Sequence, residues 1–229
     1  MMTINIIDVK LFDYDRHQCI IVTHAVTIHG GRKMKVTKAQ AQANRTRIVE
    51  TASTLFRERG FDGVGVADLM AAAGFTHGGF YKNFGSKVDL MAESAACGTL
   101  QTAALLADVD IAEVVRLYLS REHRDGRAVG CTMAALGGDA ARQPAVVRAT
   151  FAEGIERLLT TLNGVDMSMG GMDTEQARAL SLSILAQMVG AIVMSRACPD
   201  DSSLADEILA SCKNEIYASL ANHISQHST

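Results

Sequence analysis

The segment Val66-Ala67-Asp68-Leu69-Met70-Ala71-Ala72-Ala73-Gly74-Phe75-Thr76-His77-Gly78-Gly79-Phe80-Tyr81-Lys82-Asn83-Phe84 decides the fold. Its first half puts Val66, Leu69, Met70 and Ala73 on one face at helical spacing and stops at Gly74, a residue that tolerates the left-handed backbone of a helix end. Thr76 is placed to cap a second short helix, His77 to Phe84. Two short helices joined through Ala73-Gly74-Phe75-Thr76, apolar on their inner faces, have the sequence form of a helix-turn-helix.

Upstream, Ile48, Ala52, Leu55 and Phe56 recur with a 3.6-residue period from Thr37 onward, and this helix is expected to end at Gly60. Downstream, Ser86-Lys87-Val88-Asp89 is a capping box that opens the next helix. Six of the chain's eleven Phe and Tyr residues (Phe56, Phe61, Phe75, Phe80, Tyr81 and Phe84) fall within this region, enough to build a core for a small three-helix unit. Further caps before amphipathic runs, at Asp110 with Glu113, Pro144, Asp173 with Gln176 and Ser203 with Asp206, extend the pattern to nine helices. The expected class is all-α: an N-terminal three-helix unit followed by a C-terminal helical body with helices near 110–123, 128–140, 144–163, 173–197 and 202–222.

The composition agrees. The chain has 229 residues, 48% apolar, with no Trp and two Pro. That length and apolar content support a buried core and exclude disorder throughout. The five cysteines, Cys19, Cys97, Cys131, Cys198 and Cys212, form no CxxC pair and read as reduced thiols in a cytoplasm. No secretory leader is expected, and the apolar run Ala179 to Ser195, broken by Ser181, Ser183, Gln187 and Gly190, is read as no membrane span. Residues 1–33 are β-prone but lack the pattern of the rest. They are read as an extension, disordered or arising from a mis-called start, with Met34 as a possible true beginning.

Charge is uneven along the chain. Residues 35–90 carry eight Lys/Arg against five Asp/Glu, whereas residues 91–229 carry ten against seventeen. A basic front and an acidic rear direct a polyanionic partner to the front.

The residues Gly60-Phe61, Leu69, Ala72-Ala73-Gly74-Phe75-Thr76, Gly78, Phe80-Tyr81, Phe84, Ser86-Lys87 and Leu90 resemble the DNA-binding domain of TetR-family transcriptional regulators over about residues 44–104. The resemblance implies a homodimeric, cytoplasmic regulator of double-stranded DNA, most often a repressor, with a helix-turn-helix domain at 34–90 and a ligand-binding and dimerisation domain at 91–229. Carried over position by position, it sets Thr76, His77, Gly78 and Gly79 against base edges and Tyr81, Lys82, Asn83 and Lys87 against phosphates. Arg45 and Arg47 are further phosphate contacts or simply solvated. Gly78 and Gly79 either allow close backbone approach to DNA or pack on the preceding helix. Gly65 stands where the family usually has a Ser or Thr cap, and Gly79 where it commonly has Thr.

For the rear body, Cys97, Leu100, Tyr118, Cys131, Met133, Phe151, Met188 and Ile192 are candidate contacts to an unknown small-molecule effector, or plain core. Cys131, near His123, Arg124 and Arg127, is alternatively a redox or electrophile sensor. Neither a nucleophile–base set nor zinc-ligand spacing is present, so no catalytic residues, metal or cofactor are expected. The apolar stripes Ala177, Leu180, Ile184, Leu185, Met188 and Ile192, then Leu204, Ile208, Cys212, Ile216 and Leu220, would make a four-helix dimer interface or cover their own subunit's core.

Overall fold

A computed structural model describes residues 8–13, 18–23, 37–107, 109–164 and 174–227. Two strands, β1 (Asp8–Asp13) and β2 (Gln18–Thr23), pair antiparallel with Asp8 opposite Thr23 and Asp13 opposite Gln18. The β-prone character of the N-terminal segment thus takes the form of a hairpin. The remainder of residues 1–33 lies outside the described residues.

The body is helical. α1 (Lys38–Arg59) begins where Thr37 Oγ1 accepts the Gln40 N–H at 3.1 Å, and ends at Gly60, whose φ of 77° only glycine adopts without strain. α2 (Val66–Ala72) starts at Gly65 with no side-chain cap, and Gly74 turns the chain out of it at φ 82°. The next element, His77–Lys82, is a 3-10 helix rather than the α-helix expected to Phe84, and Thr76 makes no capping hydrogen bond to it. Six residues with two glycines cannot offset the cost of α-helical nucleation, so the tighter turn wins.

α3 (Lys87–Leu106) opens as the capping box requires, with Ser86 Oγ accepting the Asp89 N–H at 3.1 Å. The helix expected over 110–123 divides into α4 (Ile111–Tyr118) and α5 (Arg121–Asp125), because Leu119 leaves helical geometry and Ser120 caps a new start by accepting the His123 N–H. A short 3-10 turn (Arg127–Val129) precedes α6 (Thr132–Ala140). α7 (Ala145–Gly164), α8 (Thr174–Ala197) and α9 (Ser203–His227) complete the chain. Asp173, expected to cap α8, lies outside the described residues.

The core runs unbroken from front to rear. Phe56, Phe61, Phe80, Ile48, Leu69 and Leu90 are fully buried in the front unit. Phe61 meets Phe56 edge-on at 5.2 Å and Phe151 of α7 at 6.4 Å between ring centroids. Its backbone is held from two directions: its N–H donates to Asp139 Oδ2 of α6 at 3.3 Å, and its carbonyl accepts from Lys87 Nζ of α3 at 2.7 Å.

α8 is long and apolar enough, by length and composition, to cross a membrane. One face of it packs inside the chain: Leu180, Ile184, Leu185, Met188 and Ile192 are buried, and buried Ser181 and Ser195 donate to Asn163 Oδ1 and the Ala205 carbonyl. That stripe covers its own subunit, as Ile216 and Leu220 of α9 do. Among the described residues, the large apolar side chains left outward on these two helices are Leu182, Val193, Met194 and Leu204.

Candidate nucleic-acid interface

The turn Ala73–Thr76 reverses the chain so that the 3-10 helix packs against α2 with Phe80 inward. Phe80 anchors two further rings, Phe84 at 5.5 Å and Tyr81 edge-on at 5.2 Å. Because Phe80 faces the core, Thr76, His77, Gly78, Tyr81 and Lys82 are left exposed. Tyr81 is 68% exposed, its ring braced between Phe80 and the edge of His77 at 6.1 Å, and its hydroxyl is free to face outward.

Gly78 and Gly79 have negative φ, so backbone conformation does not require glycine there. A Cβ on Gly78 would meet nothing within 4 Å, and one on Gly79 would make ordinary contact with Met70 Cε at 3.4 Å and Thr76 Oγ1 at 3.9 Å. Neither glycine is demanded by packing within the chain. Gly74 differs, since its φ is positive and the Arg47 guanidinium stands 3.2 Å from where its Cβ would be.

Four of the ten candidate DNA contacts are engaged inside the protein to some degree. Asn83 Nδ2 donates to the Gly79 carbonyl at 2.8 Å. Lys87 is committed to the Phe61 carbonyl and lies over the Phe56 ring at 5.8 Å. Arg45 donates to the Asn83 carbonyl and to Glu93, and its guanidinium lies 4.3 Å over Phe84. Arg47, exposed, reaches 5.9 Å from the Phe75 ring. Arg45, Asn83 and Lys87 therefore brace the reading segment from behind, while Thr76, His77, Gly78, Tyr81 and Lys82 form its outward face with Gly79 at the edge.

On α1, Glu50 is half-buried with Oε1 unpartnered, and burial raises its carboxyl to about 7. Further along, Arg57 is buried and donates to Ser53 Oγ and the Ala128 carbonyl, both at 2.9 Å. It sits against Gly98 of α3, where a Cβ would collide with the Arg57 guanidinium, with Thr132 Oγ1 and, at 2.7 Å, with Ser53 Oγ.

The candidate effector contacts do not converge. Met133 and Phe151 line an apolar groove of about 430 Å³ between α6, α7 and α8, together with Gly137, Ile155, Leu182 and Val189. Sequence reasoning passed over those last four, and a Cβ on Gly137 would meet nothing within 4 Å. Cys97, Met188 and Ile192 are core, and Leu100 is half-buried on α3. Tyr118 and Cys131 belong to a separate polar junction: His123 Nδ1 donates to the Tyr118 carbonyl at 2.7 Å and Nε2 accepts the Cys131 N–H at 3.0 Å. That pattern fixes a neutral imidazole, and burial lowers its proton affinity accordingly.

Residues 48–93 match the sequence model of the bacterial regulatory proteins of the tetR family. Solved structures share the fold. The reduced form of Escherichia coli NemR is 17% identical over 77% of this chain and 96% of its own, with a TM-score of 0.63. A TetR-family transcriptional regulator from Cytophaga hutchinsonii is 22% identical over 81% and 98%, with a TM-score of 0.63. A TetR transcriptional regulator from Legionella pneumophila is 18% identical over 81% and 99%, again at 0.63. No curated protein matches the chain in sequence.

Proposed function

We propose that this chain, whose residues 48–93 match the sequence model of the tetR family of bacterial regulatory proteins, is a homodimeric repressor released from a near-palindromic operator by a small molecule. The match over residues 48–93 supports a DNA-binding transcriptional regulator; the repressor sign, the release and the residues that carry them are our reading. Residues 34–90 serve as the reading unit and 91–229 as the effector-binding and dimerisation body.

One observation carries the reading. Gly78 and Gly79 lie on an exposed turn where neither backbone geometry nor internal packing asks for glycine. Close approach of another molecule accounts for them, and Thr76, His77, Tyr81 and Lys82 surround them with donors suited to base edges and phosphates. The apolar groove between α6, α7 and α8 is the place for an apolar effector. To release DNA, that effector has to bind the non-binding conformation more tightly, with coupling of about 1–3 kcal/mol.

Selection of random duplex DNA by the purified chain at physiological salt tests the reading, with Tyr81→Ala as control. An enriched palindrome lost in the variant is the expected result. No enrichment from folded, dimeric protein would overturn it.

A second reading, thiol sensing through Cys131, has one observation behind it. The Arg57 guanidinium lies within electrostatic reach of the Cys97 and Cys131 thiols, and a nearby cation is what stabilises a thiolate. Cys131 is 3% exposed, which favours the small-molecule reading.

A further inference from the structure

Where the end of α1 meets the Arg127–Val129 turn and the last turn of α8, the surface folds into a cleft of about 410 Å³, distinct from the apolar groove. Four arginines line it, Arg57, Arg59, Arg127 and Arg196, against one carboxylate, Glu58. Ala134, Ala135, Val193 and Ala197 supply its apolar wall.

The charges are poorly compensated. Arg59 pairs with Glu58 at 3.2 Å, both half exposed. Among the described residues Arg57, Arg127 and Arg196 form no ion pair, whereas Arg116, Arg121, Arg124, Arg142 and Arg178 of the same rear body each sit on a carboxylate. Arg57 is 6% exposed and its acceptors are a hydroxyl and a carbonyl, both neutral. Arg196 uses Nε and Nη2 on the carbonyls of Arg124 and His123, leaving buried Nη1 without a partner. Burial first, and then the charge of Arg127, hold its guanidinium below the usual arginine range.

Clustered cations with neutral partners and an orphaned donor cost free energy that an entering anion would recover. Guanidinium groups match the planar oxygens of carboxylate and phosphate in two-point contact. We propose that this cleft binds a small amphipathic organic anion, its oxyanion head on Arg57, Arg127 and Arg196 and its short apolar body on Ala134, Ala135 and Val193. Such a ligand bridges α1 of the reading unit to α8 of the rear body. It therefore acts on the relative placement of the two.

Calorimetric titration of the full chain with octanoate, octyl phosphate and octanol tests the proposal without reference to DNA. Both anions are expected to bind and octanol not. A tighter octanoate identifies a carboxylate ligand, and a tighter octyl phosphate a phosphate ester. Arg127, exposed and unpaired, is the residue to change: Arg127→Gln should weaken anion binding at least tenfold and Arg127→Glu abolish it, with the melting temperature of the free protein unchanged in Arg127→Gln. Absence of binding by either anion, equal binding of octanol, or wild-type affinity in Arg127→Glu would overturn the proposal.

Discussion

Between Gly79 and Met70 there is room for one carbon atom: a Cβ on Gly79 would stand 3.4 Å from Met70 Cε, at ordinary contact distance. Gly79→Ala and Gly78→Ala are therefore expected to fold with unchanged or slightly higher stability, by up to about 1 kcal/mol, because alanine restricts the unfolded chain. DNA affinity should fall at least tenfold in both. Thermal melts beside operator titrations separate the two effects, and a variant that melts normally and binds normally would remove the close-approach reading.

Lys82 and Lys87 should behave differently. Lys82 is exposed beside Tyr81, so Lys82→Ala ought to weaken binding uniformly across sequences and reduce the salt slope by about one contact. Lys87 is committed to the Phe61 carbonyl at 2.7 Å. Lys87→Ala should instead lower stability by about 1–3 kcal/mol and leave the salt slope of the folded protein close to wild type. Affinity measured at several salt concentrations, with a denaturant melt, decides each case.

Glu50 makes stability depend on pH. Its folded-state carboxyl titrates at about 7, above the ordinary 4.5, so between those values the folded chain keeps a proton that the unfolded chain has lost. Stability falls as pH rises through that window and carries the full penalty above it. Glu50→Gln should raise stability at pH 8 by about 1–2 kcal/mol after solvent screening of this partly exposed group, read as a higher melting temperature, and change little near pH 4. Equal shifts at both pH values would contradict the assignment.

Gly98 is the position where α1 and α3 come closest through Arg57. A methyl group there meets the guanidinium, Thr132 Oγ1 and Ser53 Oγ together, and the two hydroxyls sit on side chains too short to swing clear. Gly98→Ala is expected to destabilise by about 1–3 kcal/mol or more, read as a lowered melting temperature with loss of DNA binding.

Cys131→Ser separates the two sensing readings. With an apolar effector in the groove of α6, α7 and α8, the variant keeps its effector response in an operator-release assay. Loss of an electrophile response in the same assay would transfer the sensing role to the thiol.

Much of the front half was legible because its signals are local. Gly60 and Gly74 take the left-handed turns their positions imply, and Ser86 and Asp110 cap the helices that follow them. The break at Leu119–Ser120 was hidden because residues 111–125 stay helix-compatible throughout, and only the Ser120 hydroxyl on the His123 N–H marks a new start. The stripe on α8 was found correctly as apolar, yet spacing alone does not say whether its neighbour is in the same chain. Buried Leu180, Ile184, Leu185, Met188 and Ile192 answer that, and leave Leu182, Val193, Met194 and Leu204 as the outward candidates for a partner subunit. The internal bonds of Lys87 and Arg45 were hidden for a related reason: a cation's sequence position does not reveal the carbonyl it reaches.

The two-sided hold on Phe61 bears on how a signal could travel. With its N–H tied to α6, its carbonyl to α3 and its ring set between α1 and α7, the loop after α1 cannot serve as a joint. The reading unit is tied to α6 at its root, so a displacement of α6 is passed on to the whole arm. In the proposed dimer, the quantity under control is then the stride between two arms, and the proposed repression becomes a matter of matching that stride to the pitch of the double helix.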